Sequence, residues 1–417
     1  MACSLNRTYI PLDRGQKLFL KIDIVPKKIT AASLPLNVCL LIDKSGSMAG
    51  GKKLENAKKG AINLITQLEG RDYAGIVAFE SEVDVVVPGQ HVTDTSVFVT
   101  EINKMEARRK TELYKGLETA FSELMKPLHT VYGPGKEPVR RIILLSDGDP
   151  TDKKPESDYR ELARKIRGTG ITITALGVGE EYNEDLLSAL AEESGGVWYH
   201  LTPDDIPDIF LRELVDMKTV ISSQPELVLT LSEGCELTDI YKAVPEVYRI
   251  SNVTKRNGEH RIPISDIAAG ESQTFVARIA VPPRPKEGYT AAQITLINGH
   301  LRVREDITVN YSEDKSLWSI ETDPLSRTLF AVAETQMKVK SGLSGDETAL
   351  TQAETQLKTL LKDPDVTKVR EVAERTGLIK RILTKIKKGM NKEEKKKAKA
   401  ELTRIGRVEH EVFVLRS

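Results

Sequence analysis

Two hydrophobic periodicities divide the chain into regions of different secondary structure. In the first half, short apolar runs such as LNVCLLI (36–42) alternate with segments of roughly 10–15 residues whose apolar positions recur at helical spacing, for example Leu54, Ala57 and Ala61. Unbroken apolar runs are typical of strands that are buried on both faces of a parallel sheet. This region is therefore predicted to be α/β, with a Rossmann-like, doubly wound and mostly parallel sheet.

The elements of this region follow one another closely. Strands 73–79 and 83–87 are separated by a short polar gap and are predicted to form an antiparallel hairpin at the edge of the sheet. In chain order, the prediction is strand 36–42, a helix from residue 52, strands 73–79 and 83–87, helix 111–125, strand 140–146, helix 156–168, strand 171–178, helix 183–193, strand 196–201 and helix 203–219.

The pattern changes after residue 221. Residues 226–311 alternate between apolar and polar positions, which predicts an antiparallel β-sandwich of five or six strands. The isolated alternating strand at 16–25 is expected to pair into this sandwich, because a lone strand is not stable. From Pro324 onward the helical spacing returns. The predicted domains are N-terminal strands that join the sandwich (1–34), the α/β domain (35–221), the β-sandwich (222–312) and a C-terminal helical region (313–417).

Composition narrows the functional classes. The 417 residues include 61 basic and 61 acidic residues, and this balance argues against a dedicated nucleic-acid-binding protein. Three widely spaced cysteines, with no CxxC or HExxH motif, make a zinc site improbable. The N-terminus lacks the apolar core of a signal peptide, and no run of 18 apolar residues occurs. We therefore expect a cytoplasmic protein without a membrane span.

One segment departs from this charge balance. Residues 385–399, KIKKGMNKEEKKKAK, are strongly basic. They are consistent with a surface for nucleic acid or an acidic protein, and equally with a solvated helix face in which Glu393 supports Lys397 at a spacing of four residues. The sequence favours the solvated face and leaves the role of the segment open.

The turn after the first buried strand carries the candidate chemistry. Residues 46–53, GSMAGGKK, come close to a phosphate-binding loop, but Lys53 stands where that motif needs the hydroxyl that holds magnesium. Asp43 would also place a negative charge where phosphate would approach. A phosphatase motif of the type DxD fails as well, because Ser45 replaces the second carboxylate. Phosphate binding is therefore a poor interpretation of this turn.

A metal site accounts for the same residues better. Asp43, Ser45 and Ser47 alternate, so in an extended turn their side chains project the same way. They follow the carboxyl end of a strand, which is the edge where open α/β sheets bind ligands. Two further oxygen-bearing residues are expected at this edge, namely Asp147 after strand 140–146 and Thr111 before a helix. Hard oxygen ligands favour Mg²⁺, with Mn²⁺ or Ca²⁺ as alternatives.

DKSGSM (43–48), the downstream Thr111 and SDG (146–148) resemble the metal-ion-dependent adhesion site of von Willebrand factor type A (VWA) domains, which also occurs in integrin I domains. The resemblance extends through GKKLENAKKGAINLI, DYAGIVAF and TELYKGLETA and covers residues 35–220. The order of VWA domain, sandwich and helices also resembles bacterial and archaeal proteins of the calcium-activated chloride channel-like type and the inter-α-trypsin inhibitor heavy chains.

The resemblance implies roles for individual residues. Ser45 and Ser47 would be direct metal ligands, Thr111 a third ligand, and Asp43 and Asp147 would bind through water or directly. An Asp or Glu of a protein partner would complete the octahedron.

One position departs from the family pattern. Lys110 stands where the family often has glycine, next to Arg108 and Arg109. These cations could recruit an acidic partner, repel the metal, or belong to a solvated loop.

The function predicted on this basis is a non-enzymatic, metal-dependent protein-binding or scaffold module inside the cell. No general base or nucleophile is evident beside the site, which disfavours catalysis. One alternative is an accessory VWA subunit of a MoxR- or chelatase-type AAA+ ATPase. Another is a purely structural VWA domain whose metal site is vestigial. The sequence names neither the partner nor the oligomeric state.

Overall fold

The fold is described from a computed structural model, for residues 1–26, 34–107, 111–126, 137–251, 253–256, 258–299 and 301–404. The chain begins with three strands whose partners come much later in the sequence. These are β1 (Ala2–Leu5), β2 (Tyr9–Ile10) and β3 (Gln16–Ile24).

The α/β region has one six-stranded sheet of order β6-β5-β4-β7-β8-β9, in which only β6 is antiparallel to its neighbour. Its elements are β4 (Leu36–Asp43), α1 (Lys53–Ile65), β5 (Tyr73–Phe79), β6 (Val83–His91), α2 (Thr95–Lys104), α3 (Leu113–Met125), β7 (Val139–Ser146), α4 (Glu156–Gly168), β8 (Ile171–Val178), α5 (Glu184–Ser194), β9 (Trp198–Leu201) and α6 (Ile206–Lys218). The predicted fold class and edge hairpin are confirmed. Helix α2 was not predicted; its buried residues are Phe98 and Ile102, which lie four positions apart.

Strand β4 shows why this sheet is covered on both faces. All eight of its residues are buried. Val38 and Leu40 belong to the core that packs under α1 and α6, whereas Cys39 and Leu41 belong to the core under α3, α4 and α5. Successive strand residues point to opposite faces, so an unbroken apolar run can serve two cores at once.

The second region consists of two large sheets that face each other and a short two-stranded sheet formed by its first and seventh strands. Its strands are β10 (Val220–Ser222), β11 (Glu226–Leu231), β12 (Glu236–Val244), β13 (Tyr248–Arg249), β14 (Thr254–Arg256), β15 (Glu259–Pro263), β16 (Ile267–Ala268), β17 (Gln273–Val281), β18 (Gly288–Asn298) and β19 (Leu301–Tyr311). The sheets have the orders β1-β3-β17-β12-β13 and β14-β15-β11-β18-β19-β2, and one apolar core lies between them. The expected number of five or six strands was too low, because strands of two or three residues such as β13 and β16 carry no readable alternation.

The N-terminal strand β3 lies inside this sandwich. It pairs antiparallel with β17 from Gln16 opposite Val281 to Ile24 opposite Gln273. Its alternate residues Leu18, Leu20 and Ile22 are fully buried in the sandwich core. The location of the strand therefore follows from its period-2 pattern, which needs a second apolar face to cover it.

C-terminal helices follow the sandwich, and one of them, the 20-residue helix that begins at Pro324, covers the outer face of the five-stranded sheet. The helices are α7 (Lys315–Trp318), α8 (Pro324–Leu343), α9 (Glu347–Leu360), α10 (Pro364–Lys368), α11 (Arg370–Lys388) and α12 (Lys392–Arg404). Phe330 of α8 packs against the rings of Phe19 and Tyr241, at centroid distances of 5.1 and 5.2 Å. None of the helices in the described ranges is long and apolar enough to cross a bilayer.

The last helix returns to the α/β region and fastens to it. Lys396 is fully buried, and its Nζ donates to the backbone carbonyls of Glu180 (2.6 Å) and Tyr182 (2.7 Å). Lys399 forms ion pairs with Glu184 (2.7 Å) and Asp185 (2.8 Å). The basic segment is therefore not simply a solvated face, because two of its lysines hold α12 against the loop that joins β8 to α5 and against the first turn of α5.

Candidate metal centre

The topology of the sheet brings the predicted site residues to one edge. Strands β4 and β7 are parallel neighbours, with Ile42 opposite Leu145, so Asp43 and the residues after Ser146 end side by side. The turn after β4 forms a short 3₁₀ helix over Gly46–Ala49 before α1 begins. The edge is the carboxyl end of the sheet, as the sequence predicted.

Asp43 is a buried carboxylate with fixed partners. Its Oδ1 accepts a hydrogen bond from the backbone N–H of Ser45 (2.8 Å), and its Oδ2 accepts one from the hydroxyl of Ser146 (2.8 Å). Burial raises the pKa of Asp43 to about 6, although these hydrogen bonds oppose the rise. The protein thus holds a carboxylate in a place where its charge is unfavourable unless a cation is near.

A chain of hydrogen bonds connects the two serines to Asp147. The hydroxyl oxygens of Ser45 and Ser47 are 3.0 Å apart, and Ser47 Oγ donates to Asp147 Oδ1 (2.7 Å). Asp147 is fully buried and Ser45 nearly so, whereas Ser47 is exposed. The network therefore runs from the protein interior to the solvent, with Ser47 at its open end.

Thr111 approaches the same place from the segment before α3. A β-carbon built on Gly148 would lie 3.8 Å from Ser47 Oγ and 3.9 Å from Thr111 Oγ1, so both hydroxyls flank that glycine. Two hydrogen bonds with Thr151 hold Thr111 there. The hydroxyl of Thr151 accepts from the backbone N–H of Thr111 (3.1 Å), and the backbone N–H of Thr151 donates to the carbonyl of Thr111 (2.9 Å). The lack of a side chain at Gly148 keeps this space open.

Two structural supports of the site were missed by sequence reasoning. Ser146 holds Asp43, and Thr151 holds Thr111, but both are ordinary polar residues with no sequence signal of their own. Asp152 also supports this region, because its carboxylate accepts from the N–H of Tyr114 in the first turn of α3 (2.8 Å). The loop after β7 thus positions the start of α3.

Lys53 was also overlooked as a member of the site. Its ammonium lies 2.6 Å from Asp147 Oδ2. From the sequence alone, Lys53 was assigned no role beyond its mismatch to a phosphate-binding loop. The cations expected beside the site, Arg108–Lys110, lie outside the described residues.

The donor set fits a small divalent cation. It consists of two carboxylates and three hydroxyls, all hard oxygen donors of the kind that Mg²⁺ and Mn²⁺ prefer. In the described part of the chain, no group of three or more His, Cys, Asp or Glu residues could hold a metal, so the hydroxyls are needed to complete a site. The ammonium of Lys53 against Asp147 shows that a cation is electrostatically favourable here.

Comparison with known proteins agrees with this geometry. Residues 37–210 match the von Willebrand factor type A domain family. An uncharacterized protein of Synechocystis, sll0103, is 31% identical over 216 residues, which are 51% of this chain and 49% of that protein. The human inter-α-trypsin inhibitor heavy chain H3 is 28% identical over 43% of this chain and 20% of its own length.

The similarity of the fold extends over nearly the whole chain. The structure of a von Willebrand factor type A protein from Catenulispora acidiphila superimposes with a TM-score of 0.76 at 16% identity, covering 97% of this chain and 96% of that protein. At this identity the likeness shows a shared fold. The chain spans about half the length of the Synechocystis relative.

These findings define the class of the α/β region. Residues 37–210 match the VWA domain family and have the VWA fold, and they are similar in sequence to an uncharacterized bacterial protein and to an inter-α-trypsin inhibitor heavy chain. Domains of this class generally mediate protein–protein interactions and bind a divalent metal at the adhesion site.

Proposed function

We propose that this chain is a non-enzymatic protein-binding module that recognises an acidic residue of its partner through a divalent metal. The observation that carries the proposal is the network of Ser45, Ser47 and Asp147, which is buried at one end and open to solvent at the other. A site open on one side leaves room for a ligand from another molecule.

Mg²⁺ is the proposed metal, with Mn²⁺ or Ca²⁺ as alternatives. Asp43, Ser45, Ser47, Thr111 and Asp147 would hold it, and the metal would supply positive charge for an incoming carboxylate. Both carboxylates already accept hydrogen bonds from the protein, which limits how much negative charge they can donate to a metal. A metal with neutral hydroxyl ligands attracts an external carboxylate strongly.

The absence of enzymatic activity is part of the proposal. Among the described side chains that contact the site, none is a histidine or cysteine, and both carboxylates are occupied by hydrogen bonds. This arrangement offers no evident general base or nucleophile. Hydrolysis of a phosphoester or peptide by the purified chain, abolished by Asp43→Ala, would overturn this part. The cytoplasmic location and the role as an accessory subunit of an AAA+ ATPase stay predictions.

The metal site is tested directly by titration calorimetry with Mg²⁺ and Mn²⁺. We expect binding by the wild-type protein and none by Asp43→Ala/Ser45→Ala. The matched control is Asp94→Ala/Ser96→Ala, which removes the same residue types at the same spacing from the exposed start of α2. Equal loss of binding in both variants, or no binding by the wild-type protein at millimolar metal, would contradict the proposed site.

Metal-bridged recognition is tested by capture from native lysate in Mg²⁺ and in EDTA, with the same two variants. A partner that is lost in EDTA and with Asp43→Ala/Ser45→Ala, but kept with the control, supports the proposal. An AAA+ ATPase among such partners would favour the accessory-subunit alternative. A partner that is retained under every condition would move the binding function to the sandwich or the helices.

A further inference from the structure

Lys53 occupies a special position at the start of α1. Gly51 and Lys52, which precede it, both have left-handed backbone conformations with φ of 60°. This turn leads the chain from the exposed 3₁₀ segment into α1. The first side chain of the helix thereby reaches Asp147, 94 positions later in the sequence.

The charges around the site make this lysine the local counter-ion. Asp43 and Asp147 are both fully buried carboxylates, joined through the neighbouring Ser146 and Ser47. The next cation in the turn, Lys44, is directed away from them, toward Asp84 (2.5 Å) and Glu80 (3.8 Å). Of the cations in the described ranges, Lys53 is the one recorded in contact with either carboxylate of the site.

We propose that Lys53 is a tethered competitor of the divalent metal, which must displace the ammonium from Asp147 in order to bind. The inference rests on the proposed metal site. Asp147 is a predicted ligand, and one of its two oxygens already receives the ammonium at 2.6 Å. A divalent ion and an ammonium that share this buried carboxylate would repel each other, because charges in the protein interior are weakly screened.

The surroundings of Lys53 allow it to leave. About a fifth of its side chain is exposed (20%), while Asp147 is fully enclosed (0%). Gly179, after β8, lies along the lysine, and a β-carbon there would stand 3.9 Å from both Cε and Nζ. Gly179 therefore places no side chain beside the ammonium, and the lysine is in part exposed already. Lysine also suits this role better than arginine, since it is a flexible point charge and not a bidentate fork.

The inference is tested with Lys53→Met, which keeps the aliphatic stem and removes the charge. We expect the dissociation constant for Mg²⁺ and Mn²⁺, measured by calorimetry, to fall at least tenfold. Lys59→Met is the control, because Lys59 is an exposed lysine of the same helix. The control removes the same charge and should leave the affinity nearly unchanged.

A second readout does not depend on metal affinity alone. Without metal, Lys53→Met should lower the melting temperature, because Asp147 loses its ion pair. Saturating Mg²⁺ should then raise the melting temperature more in this variant than in the wild-type protein. Lys53→Arg, which keeps the charge, should bind metal no more tightly than the wild-type protein and shows whether charge or shape is responsible.

The outcomes separate this inference from the proposed function. Metal binding by the wild-type protein with unchanged affinity in Lys53→Met would overturn the inference and leave the metal site in place. Binding by Lys53→Met alone would support the inference strongly, since the lysine would then block the site. Failure of every properly folded variant to bind Mg²⁺ or Mn²⁺ would overturn both.

Discussion

Strand β7 carries charged residues at both of its ends, and the two ends differ in what their charges do. After its carboxyl end lies the rim cluster, Asp43, Ser45, Ser47, Lys53 and Asp147. Near its amino end, Arg141 belongs to the interface cluster, in which it contacts Glu213 of α6 (3.1 Å) and Asp266 of the sandwich (3.6 Å). Thr174 of β8 also donates to Glu213 (2.6 Å). One strand therefore links a solvent-open cluster to one buried between two regions.

The interface cluster is built to stay as it is. Arg141 is 11% exposed, Asp266 8% and Glu213 not at all, and the guanidinium has a carboxylate from each of the two regions. A planar arginine fork held by two carboxylates loses several directed contacts at once if it moves. In the rim cluster, a single flexible ammonium makes one contact and lies beside solvent. Buried ion pairs thus serve two purposes on one strand. Those of the interface cluster attach the α/β region to the sandwich permanently, whereas the ion pair of the rim cluster can be exchanged for another cation.

The largest expected effect comes from breaking the interface cluster. Glu213→Ala should lower the free energy of unfolding by about 3–5 kcal/mol, because it leaves Arg141 buried with one carboxylate removed. Urea denaturation measures the change. Glu101→Ala is the control, since Glu101 pairs with Lys104 on the exposed face of α2 and its loss should cost less than about 0.5 kcal/mol. A cost below about 1 kcal/mol for Glu213→Ala would contradict the contrast, because the ion pairs of the interface cluster would then be as dispensable for stability as those of the rim cluster.

The second prediction concerns Lys396, the buried lysine of α12, which differs from the partly exposed Lys53 of the rim cluster. Lys396 is fully buried and donates to two backbone carbonyls, so Lys396→Met should leave both acceptors without a donor and cost about 2–4 kcal/mol. The measurement is hydrogen exchange over residues 392–404, where we expect faster exchange as the helix loosens. Lys395→Met, at the exposed neighbouring position, is the matched control. Unchanged exchange in the Lys396 variant would mean that apolar packing alone holds α12.

The two clusters were not equally accessible from the sequence. All five candidate ligands could be named in advance. Asp43, Ser45, Ser47 and Asp147 lie at or just after the ends of two strands, and such residues meet at the carboxyl edge of a sheet. Thr111 stands before a helix and was named because it fits the family pattern. Lys53 could not be assigned, since its direction depends on the left-handed turn at Gly51 and Lys52. The contact of Arg141 with Asp266 joins residues 125 positions apart in different regions, and local periodicity holds no information on it.

The fold shows the same division between local and distant information. The apolar run of β4 and the alternation of β3 predicted both strands. An unbroken apolar run indicates a strand that is buried on both faces, and alternation indicates a strand that is buried on one face. The basic segment did not reveal that Lys396 and Lys399 are buried, because their partners lie more than 200 positions away in the sequence. Short strands such as β16 exist only through their pairing, in this case with β10.

The smallest predicted effect is an increase in the free energy of unfolding, opposite in sign to the first two. It tests whether the charges of the rim cluster serve metal binding at the expense of stability. Burial raises the pKa of Asp43 to about 6, above the usual aspartate value of about 3.9. Without metal, the folded protein then binds a proton at this carboxyl more tightly than the unfolded chain does. The contribution of Asp43 to stability therefore falls as the pH rises from about 4 to about 6, and it is unfavourable at pH 7.

Asp43→Asn removes this charge, and the pKa shift alone would correspond to a gain of about 3 kcal/mol at pH 7. Because Asn has one acceptor oxygen where Asp43 accepts two hydrogen bonds, we expect the metal-free variant to be about 1–2 kcal/mol more stable than the wild-type protein at pH 7. The advantage should disappear toward pH 4. Urea denaturation in EDTA at several pH values measures it, and Asp13→Asn, at an exposed position, controls for the change in net charge. In saturating Mg²⁺ the order should reverse, because only the wild-type site would gain stability from the metal. A variant less stable than the wild-type protein in EDTA at pH 7 would instead place Asp43 with the interface charges, as a residue that holds the fold together.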